Sequence, residues 1–391
     1  MLYSMGLWSY LKNRGEHRLS EDRYILCLDG GGMRGIVAAT ILHDIEKHLF
    51  SLGDTRPLYA HFDLIAGTST GGLIALALSA PSSPSSLLLQ QQSADAHVQN
   101  TRHRLRKGFD DIYPGPDLKS IVELYLRYGK IIFPKSNSLL QLNIIGQLFN
   151  QKYDDASFNT LLNQLFANME MSDVLVPTMV VSYDCQNDRP FIISSYARPN
   201  FLIKTAARAT SAAPTYFTPV SYFDEETGEH LTLIDGGVVA NNPVLYAYME
   251  AKRLYPGTKR FHILSVSTAT APYKLELDRA GSGVIGWLDP AKGAPIYRVY
   301  AASQMKTSHE VASAIPDLEY LRVHGELKKA VKLDETDRST LSMLIDHAHG
   351  IYENHKDAIN AFCLPLITRP ASTATRPKAK TALTSALNET S

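Results

Sequence analysis

The stretch Tyr24–Leu42, YILCLDGGGMRGIVAATIL, decides how the chain folds. An apolar run closes on Asp29, four of the next six residues are glycine, and an apolar stretch then resumes. That order predicts a buried strand, a tight turn and the start of a helix. The helix extends over Ile36–Leu52, where Ile36, Ala39, Ile41, Ile45, His48 and Leu49 fall near a helical period. A turn so poor in side chains offers mainly backbone N–H groups. It is built to hold a dinucleotide, a phosphate or the charge of a reaction.

Outward from this unit the pattern repeats. HFDLIAG (61–67) predicts a second short strand and GGLIALALSA (71–80) a second helix. DVLVPTMVVSYD (173–184), RPFIISSY (189–196), HLTLID (230–235) and RFHILSVST (260–268) are strand-like, with helical stretches between several of them. Strands alternating with helices predict an α/β sheet covered by helices on both faces. APSSPSSLLLQQQSADA (80–96) is low in complexity and opens a mostly helical insertion of about 80–171, directly after the second helix. The tail, 366–391, is rich in Thr, Ala and Lys and predicts disorder. The expected organisation is an N-terminal segment (1–20), one catalytic domain (21–365) and that tail.

Composition narrows the function. The 391 residues carry 39 Lys+Arg and 39 Asp+Glu, so no global charge recruits nucleic acid or an anionic membrane. Cys27, Cys185 and Cys363 stand far apart, which argues against a disulfide framework or a zinc site and for small buried hydrophobes. No run reaches the roughly 20 apolar residues of a membrane span. MLYSMGLWSYLKNR (1–14) has no basic region ahead of a long apolar core, so it does not read as a secretory signal; it reads as an amphipathic segment docking on the core or on lipid. Cytoplasmic residence or peripheral membrane contact is the expectation, with export by another route left open.

Three short motifs carry the chemistry. Gly30-Gly31-Gly32-Met33-Arg34-Gly35 has the dinucleotide spacing, yet the next strand ends Ile65-Ala66-Gly67 and puts its only acid, Asp63, near its start. Gly67-Thr68-Ser69-Thr70-Gly71-Gly72 contains G-x-S-x-G between a strand and a helix, the pattern of a nucleophile elbow. Small neighbours let the chain turn sharply and project Ser69 outward, at a helix N-terminus that favours an incipient alkoxide. Asp235-Gly236-Gly237 closes the strand HLTLID, where α/β enzymes place carboxylates. Together these supply a nucleophile, a base and donors for an oxyanion, the needs of an ester hydrolase. On that reading the glycine turn holds no cofactor; it holds the negative oxygen of a tetrahedral intermediate.

At these residues the chain resembles the patatin-like phospholipases. LDGGGMRG (28–35), GTSTGG (67–72) and DGGVVANNP (235–243) match that family's blocks in order, with KTAARATSAAPTYFTP (204–219) before the aspartate and YDCQNDRPFIISSY (183–196) as a central strand pair. The likeness runs from about Tyr24 to Thr270. It implies a three-layer α/β/α fold with a mostly parallel sheet and a serine–aspartate dyad acting on acyl esters of lipids. Carried over, Ser69 is the nucleophile and Asp235 the base. Gly31, Gly32 and Arg34 line the oxyanion hole, Gly30 and Gly35 shape its turn, and Gly67, Thr68, Thr70 and Gly71 form the elbow. Gly236 and Gly237 follow the base. No cofactor or metal is implied. The implied partner is a phospholipid or other acyl lipid met at a membrane surface, not nucleic acid; an activating partner is left open. One departure stands out: many relatives have Gly-Thr-Gly after the strand matching FHILSVST, where this chain reads Ser267-Thr268-Ala269-Thr270.

Other readings stay open at this stage. Aspartate is a poor base at an ordinary pKa of about 3.9, so a triad would need one of His262, His309, His324, His347, His349 or His355. The same dyad would also serve an acyltransferase or a peptidase, and the glycine turn alone would serve a nucleotide-binding module. The intact Ser69 and Asp235 argue against an inactive lipid-binding scaffold. Within the insertion, Leu87, Leu88, Leu89 and LLQLNIIGQLFNQ (139–151) recur at roughly helical spacing, and they either pack a cap on the core or meet lipid.

Overall fold

The structure, a computed structural model, describes residues 22–81, 117–134, 153, 155–271 and 295–369. The N-terminal segment, Leu87–Leu89, the stretch 139–151 and the tail beyond 369 lie outside the described residues. The chain runs β1 (Arg23–Leu28), α1 (Gly35–Ser51), β2 (Leu64–Thr68), α2 (Thr70–Ser79), α3 (Leu118–Ile132), α4 (Asp155–Phe166), β3 (Thr178–Asp184) and β4 (Arg189–Ser194). It continues α5 (Ile203–Thr210), β5 (Val220–Asp224), β6 (Glu229–Asp235), α6 (Gly237–Ala240), α7 (Val244–Leu254), β7 (Phe261–Val266), α8 (Pro295–Ser313), β8 (Leu318–Val323), α9 (Arg338–Asn354) and α10 (Lys356–Thr368).

The eight strands form one sheet in the order β5-β6-β3-β2-β1-β7-β8, with β4 also on β3. The pairs β1–β2, β1–β7, β2–β3 and β7–β8 are parallel. Parallel strands buried on both faces are apolar throughout, which is why YILCL reads as an unbroken run. Its residues divide between two cores. Tyr24, Leu26 and Leu28 face α1, α2, α9 and α10, while Ile25 and Cys27 face α7 and Ala312 of α8. The result is the three-layer α/β/α arrangement, with the sheet mixed rather than wholly parallel: β4 and β6 run antiparallel to β3. α2 is buried along its whole length except Leu73, as a helix apolar on every side must be.

α10 runs through position 365 to Thr368, with Leu366 buried. One expectation needs correction. Cys185 is exposed, whereas Cys27 and Cys363 are the buried small hydrophobes expected of free thiols.

The register on β3 places the site. β2 pairs with the first half of β3 and ends with Thr68 opposite Val181. β6 pairs with the last part and, running the other way, ends with Asp235 opposite Ser182. Two strands thus stop head to head on neighbouring residues of a third. Whatever follows β2 must meet whatever ends β6.

Candidate active site

Ser69 follows β2 directly and caps α2 with φ 54° and ψ −127°. A non-glycine residue held there costs on the order of 1–3 kcal/mol, so the surroundings must enforce it. They do so through Thr210, whose hydroxyl accepts the Ser69 N–H at 3.0 Å and donates to the Val181 carbonyl at 2.5 Å. Gly67 and Gly71 make the sharp turn sterically feasible: a Cβ on Gly67 would sit 2.3 Å from the Gly71 carbonyl oxygen, and one on Gly71 2.3 Å from that of Leu28. These neighbours are backbone and cannot swing away. Gly67→Ala is therefore expected to lower stability by at least about 2 kcal/mol, read as a lower denaturant midpoint.

The Ser69 hydroxyl donates to Asp235 Oδ2 at 2.6 Å. The other carboxylate oxygen, Oδ1, accepts the Gly237 N–H at 2.7 Å. Gly236 lets the chain leave the strand against β3, since a Cβ there would meet the Val181 carbonyl at 2.3 Å. Asp235 is 5% exposed. Burial pushes its carboxyl up to about 6, and the donated hydrogen bonds from Ser69 and Gly237 offset only part of that rise.

The glycine turn closes over the same place. Gly30 N–H donates to the Asn241 carbonyl, Met33 N–H to that of Leu333 and Arg34 N–H to that of Gly31. Gly31 and Gly32 are the turn residues whose N–H groups have no recorded acceptor among the described residues. Gly32 takes φ 57°, and a Cβ on it would lie 2.3 Å from the Leu333 carbonyl oxygen. Gly35 packs equally tightly on Thr70 and Tyr125, whose hydroxyls share a short hydrogen bond. Thr68 donates to the Ala240 carbonyl at 2.7 Å, tying the elbow to α6. The Arg34 guanidinium donates to the Val331 carbonyl at 3.3 Å. Asp29, at the mouth of the turn, forms a two-pronged buried ion pair with Arg322 of β8.

A family model, "Patatin-like phospholipase", matches residues 26–248. Patatin-like protein 1 of Arabidopsis thaliana is 30% identical over 333 residues, covering 77% of this chain and 74% of that protein. The chain belongs to the patatin-like phospholipase family. Patatin-like protein 2 of Oryza sativa subsp. indica is 29% identical and covers 82% of this chain and 81% of its own length. Patatin-17 of Solanum cardiophyllum is 26% identical, at 90% and 92%.

Other candidates of this patatin-like chain lie elsewhere. Asp63, the acid that a dinucleotide site would need, accepts from Arg23, Arg369 and the Tyr24 amide. It sits just before β2, at the end of the strands opposite the turn. His262 is near the start of β7, between Asp22 and Glu319 and stacked on Tyr24. His349 pairs with Asp44, and His355 contacts the Ile351 carbonyl. His309 and His324 lie ring to ring, as do His324 and His355, while His347 packs near Gly325. The recorded side-chain partners of Asp235 are Ser69 and the Gly237 amide. No described helix is long and apolar enough to cross a membrane, and the described residues contain no group of three or more His, Cys, Asp or Glu that could hold a metal.

Thr210, Asn241, Thr268 and Arg322 were not singled out from the sequence. Thr210 and Asn241 lie inside the matched blocks and Thr268 inside the departing loop, but nothing local marks them. Their importance comes from where other strands end.

Proposed function

We propose that this chain is a lipid acyl hydrolase of phospholipase A type that works through a Ser69 acyl-enzyme. The observation that carries the reading is the 2.6 Å hydrogen bond from a serine on a strained elbow to a buried aspartate. Family membership supports the substrate class, acyl lipids; on this reading the chain meets them at a membrane surface.

The geometry supports the following steps. Ser69 Oγ attacks the ester carbonyl as its proton passes to Asp235 Oδ2. The carbonyl oxygen becomes an oxyanion and is received by the Gly31 and Gly32 N–H groups, with the N-terminus of α2 and the charge of Arg34 adding to the favourable field. Collapse expels the alkoxide of the lysolipid, which takes the proton back from Asp235. Water then attacks the acyl-enzyme as Asp235 takes its proton; collapse expels the Ser69 alkoxide, which recovers that proton from Asp235 as the fatty acid leaves.

A raised carboxyl removes the main objection to an aspartate base, because its pKa comes closer to the working pH. Only the ionised form accepts the serine proton, so activity is lost as pH falls through the carboxyl's pKa. On a soluble short-chain ester, kcat/KM is expected to rise with an apparent pKa near the value of about 6. A midpoint at or below about 4, the ordinary aspartate range, would remove Asp235 from the role. The reading as a whole is tested by fatty-acid release from a panel of phospholipids and galactolipids, wild type beside Ser69→Ala. Release from none of them by the wild-type chain would overturn it.

A further inference from the structure

The peptide between Gly30 and Gly31 is held more firmly than two glycines alone would hold it. The Gly30 carbonyl oxygen accepts from Thr268 Oγ1 at 2.8 Å and from Asn241 Nδ2 at 3.2 Å. The Gly30 N–H is taken by the Asn241 backbone carbonyl at 3.0 Å. Thr268 is 1% exposed and lies so close that a Cβ on Gly31 would be 2.2 Å from its hydroxyl oxygen. It is delivered there by the turn after β7, where Ser267 N–H bonds the Val323 carbonyl and Ala269 adopts φ 54°.

In a trans peptide the carbonyl and the next residue's N–H point in opposite directions. Fixing the Gly30 oxygen toward Thr268 and Asn241 therefore fixes the Gly31 N–H toward the opposite side. The fixing matters because the bond is flanked by glycines. Turning the peptide over changes ψ of Gly30 and φ of Gly31, and glycine tolerates both conformations. A turned peptide would present a carbonyl oxygen where a donor is needed. Donors on the carbonyl also polarise the amide and strengthen its N–H.

We infer that Thr268 and Asn241 are positioning residues that lock the Gly30–Gly31 peptide so that its N–H faces the developing oxyanion. This rests on the proposed role of Gly31 as an oxyanion donor. Thr268→Val keeps the shape of the side chain and removes the hydroxyl; Thr268→Ser keeps the hydroxyl and removes the methyl. Removing a whole oxyanion donor typically costs about 10²–10³-fold in kcat, so loosening one is expected to cost about tenfold or more. On a soluble ester, Thr268→Val should lower kcat by that factor and leave KM and the pH midpoint unchanged. It should slow phosphonylation of Ser69 by a fluorophosphonate to a similar degree. Thr268→Ser should stay within about threefold of wild type. If Thr268→Val does not fold, Asn241→Ala, which removes the second donor, is measured the same way.

Wild-type kcat in the folded Val variant, a loss confined to KM, a moved pH midpoint, or a Ser variant as slow as Val would each overturn the clamp. The Ser69→Ala control separates the two levels. Wild-type turnover that does not depend on Ser69 removes the proposed function itself; Ser69-dependent turnover with an unimpaired Thr268→Val removes only the clamp.

Discussion

Ser69→Ala is expected to abolish lipid hydrolysis, by at least about 10⁴-fold in kcat, while the protein unfolds at nearly the wild-type denaturant midpoint. Both halves follow from how the serine is held. Its backbone strain and its N–H bond to Thr210 do not involve the hydroxyl, so alanine inherits the same elbow. What disappears is one oxygen and one hydrogen bond, to Asp235. The variant retains its glycine turn and its base, so any remaining turnover measures what those provide to a water molecule alone. Activity within about tenfold of wild type would show that Ser69 is not the attacking group.

Asp235→Asn is expected to cost at least about 10³-fold in kcat and, above pH 6, to make the protein more stable. Asparagine keeps the shape, can still accept from Gly237 and can donate to the serine oxygen, but it takes no proton. The stability gain follows from linkage. The carboxyl's pKa is near 3.8 unperturbed and about 6 in the folded chain, so between those values the folded state binds more protons than the unfolded state and stability falls as pH rises. Above pH 6 the penalty is complete, worth up to about 3 kcal/mol; below the ordinary value it is absent. Denaturant titrations of both proteins at pH 7.5 and pH 4 would show the advantage of the asparagine protein shrinking toward acid. Near-wild-type activity, or a variant less stable at pH 7.5 than the wild type, would contradict this account of the buried carboxylate.

The parts of the fold legible in the sequence were those with a local cause. β1, the glycine turn, α1, β2 and α2 announce themselves because a strand buried on both faces must be apolar throughout, and because Gly67 and Gly71 sit where backbone meets backbone. The rest depends on pairing. Nothing near Asp235 says that β6 will run antiparallel to β3 and stop opposite Ser182, although that register brings the carboxylate to the serine. Thr268 could be noticed only as part of a departing loop, since its partner is the Gly30 carbonyl, 238 residues earlier. Asp63 could be set aside as a ribose ligand because it opens its strand, but nothing local says that its partner is Arg369, 306 residues away.

The head-to-head meeting of β2 and β6 on β3 also orders events in time. Ser69 and Asp235 are separated by 166 residues, so a chain emerging from the ribosome displays the serine long before the carboxylate exists. Even then the pair does not form until β3 has been paired along both parts of its length, one from each direction. The glycine turn waits longer still, for Thr268, Arg322 and Leu333, which come later in the chain. On the proposed dyad the protein is thus without its chemistry while it is being made, and a chain cleaved anywhere before residue 235 would lack the carboxylate.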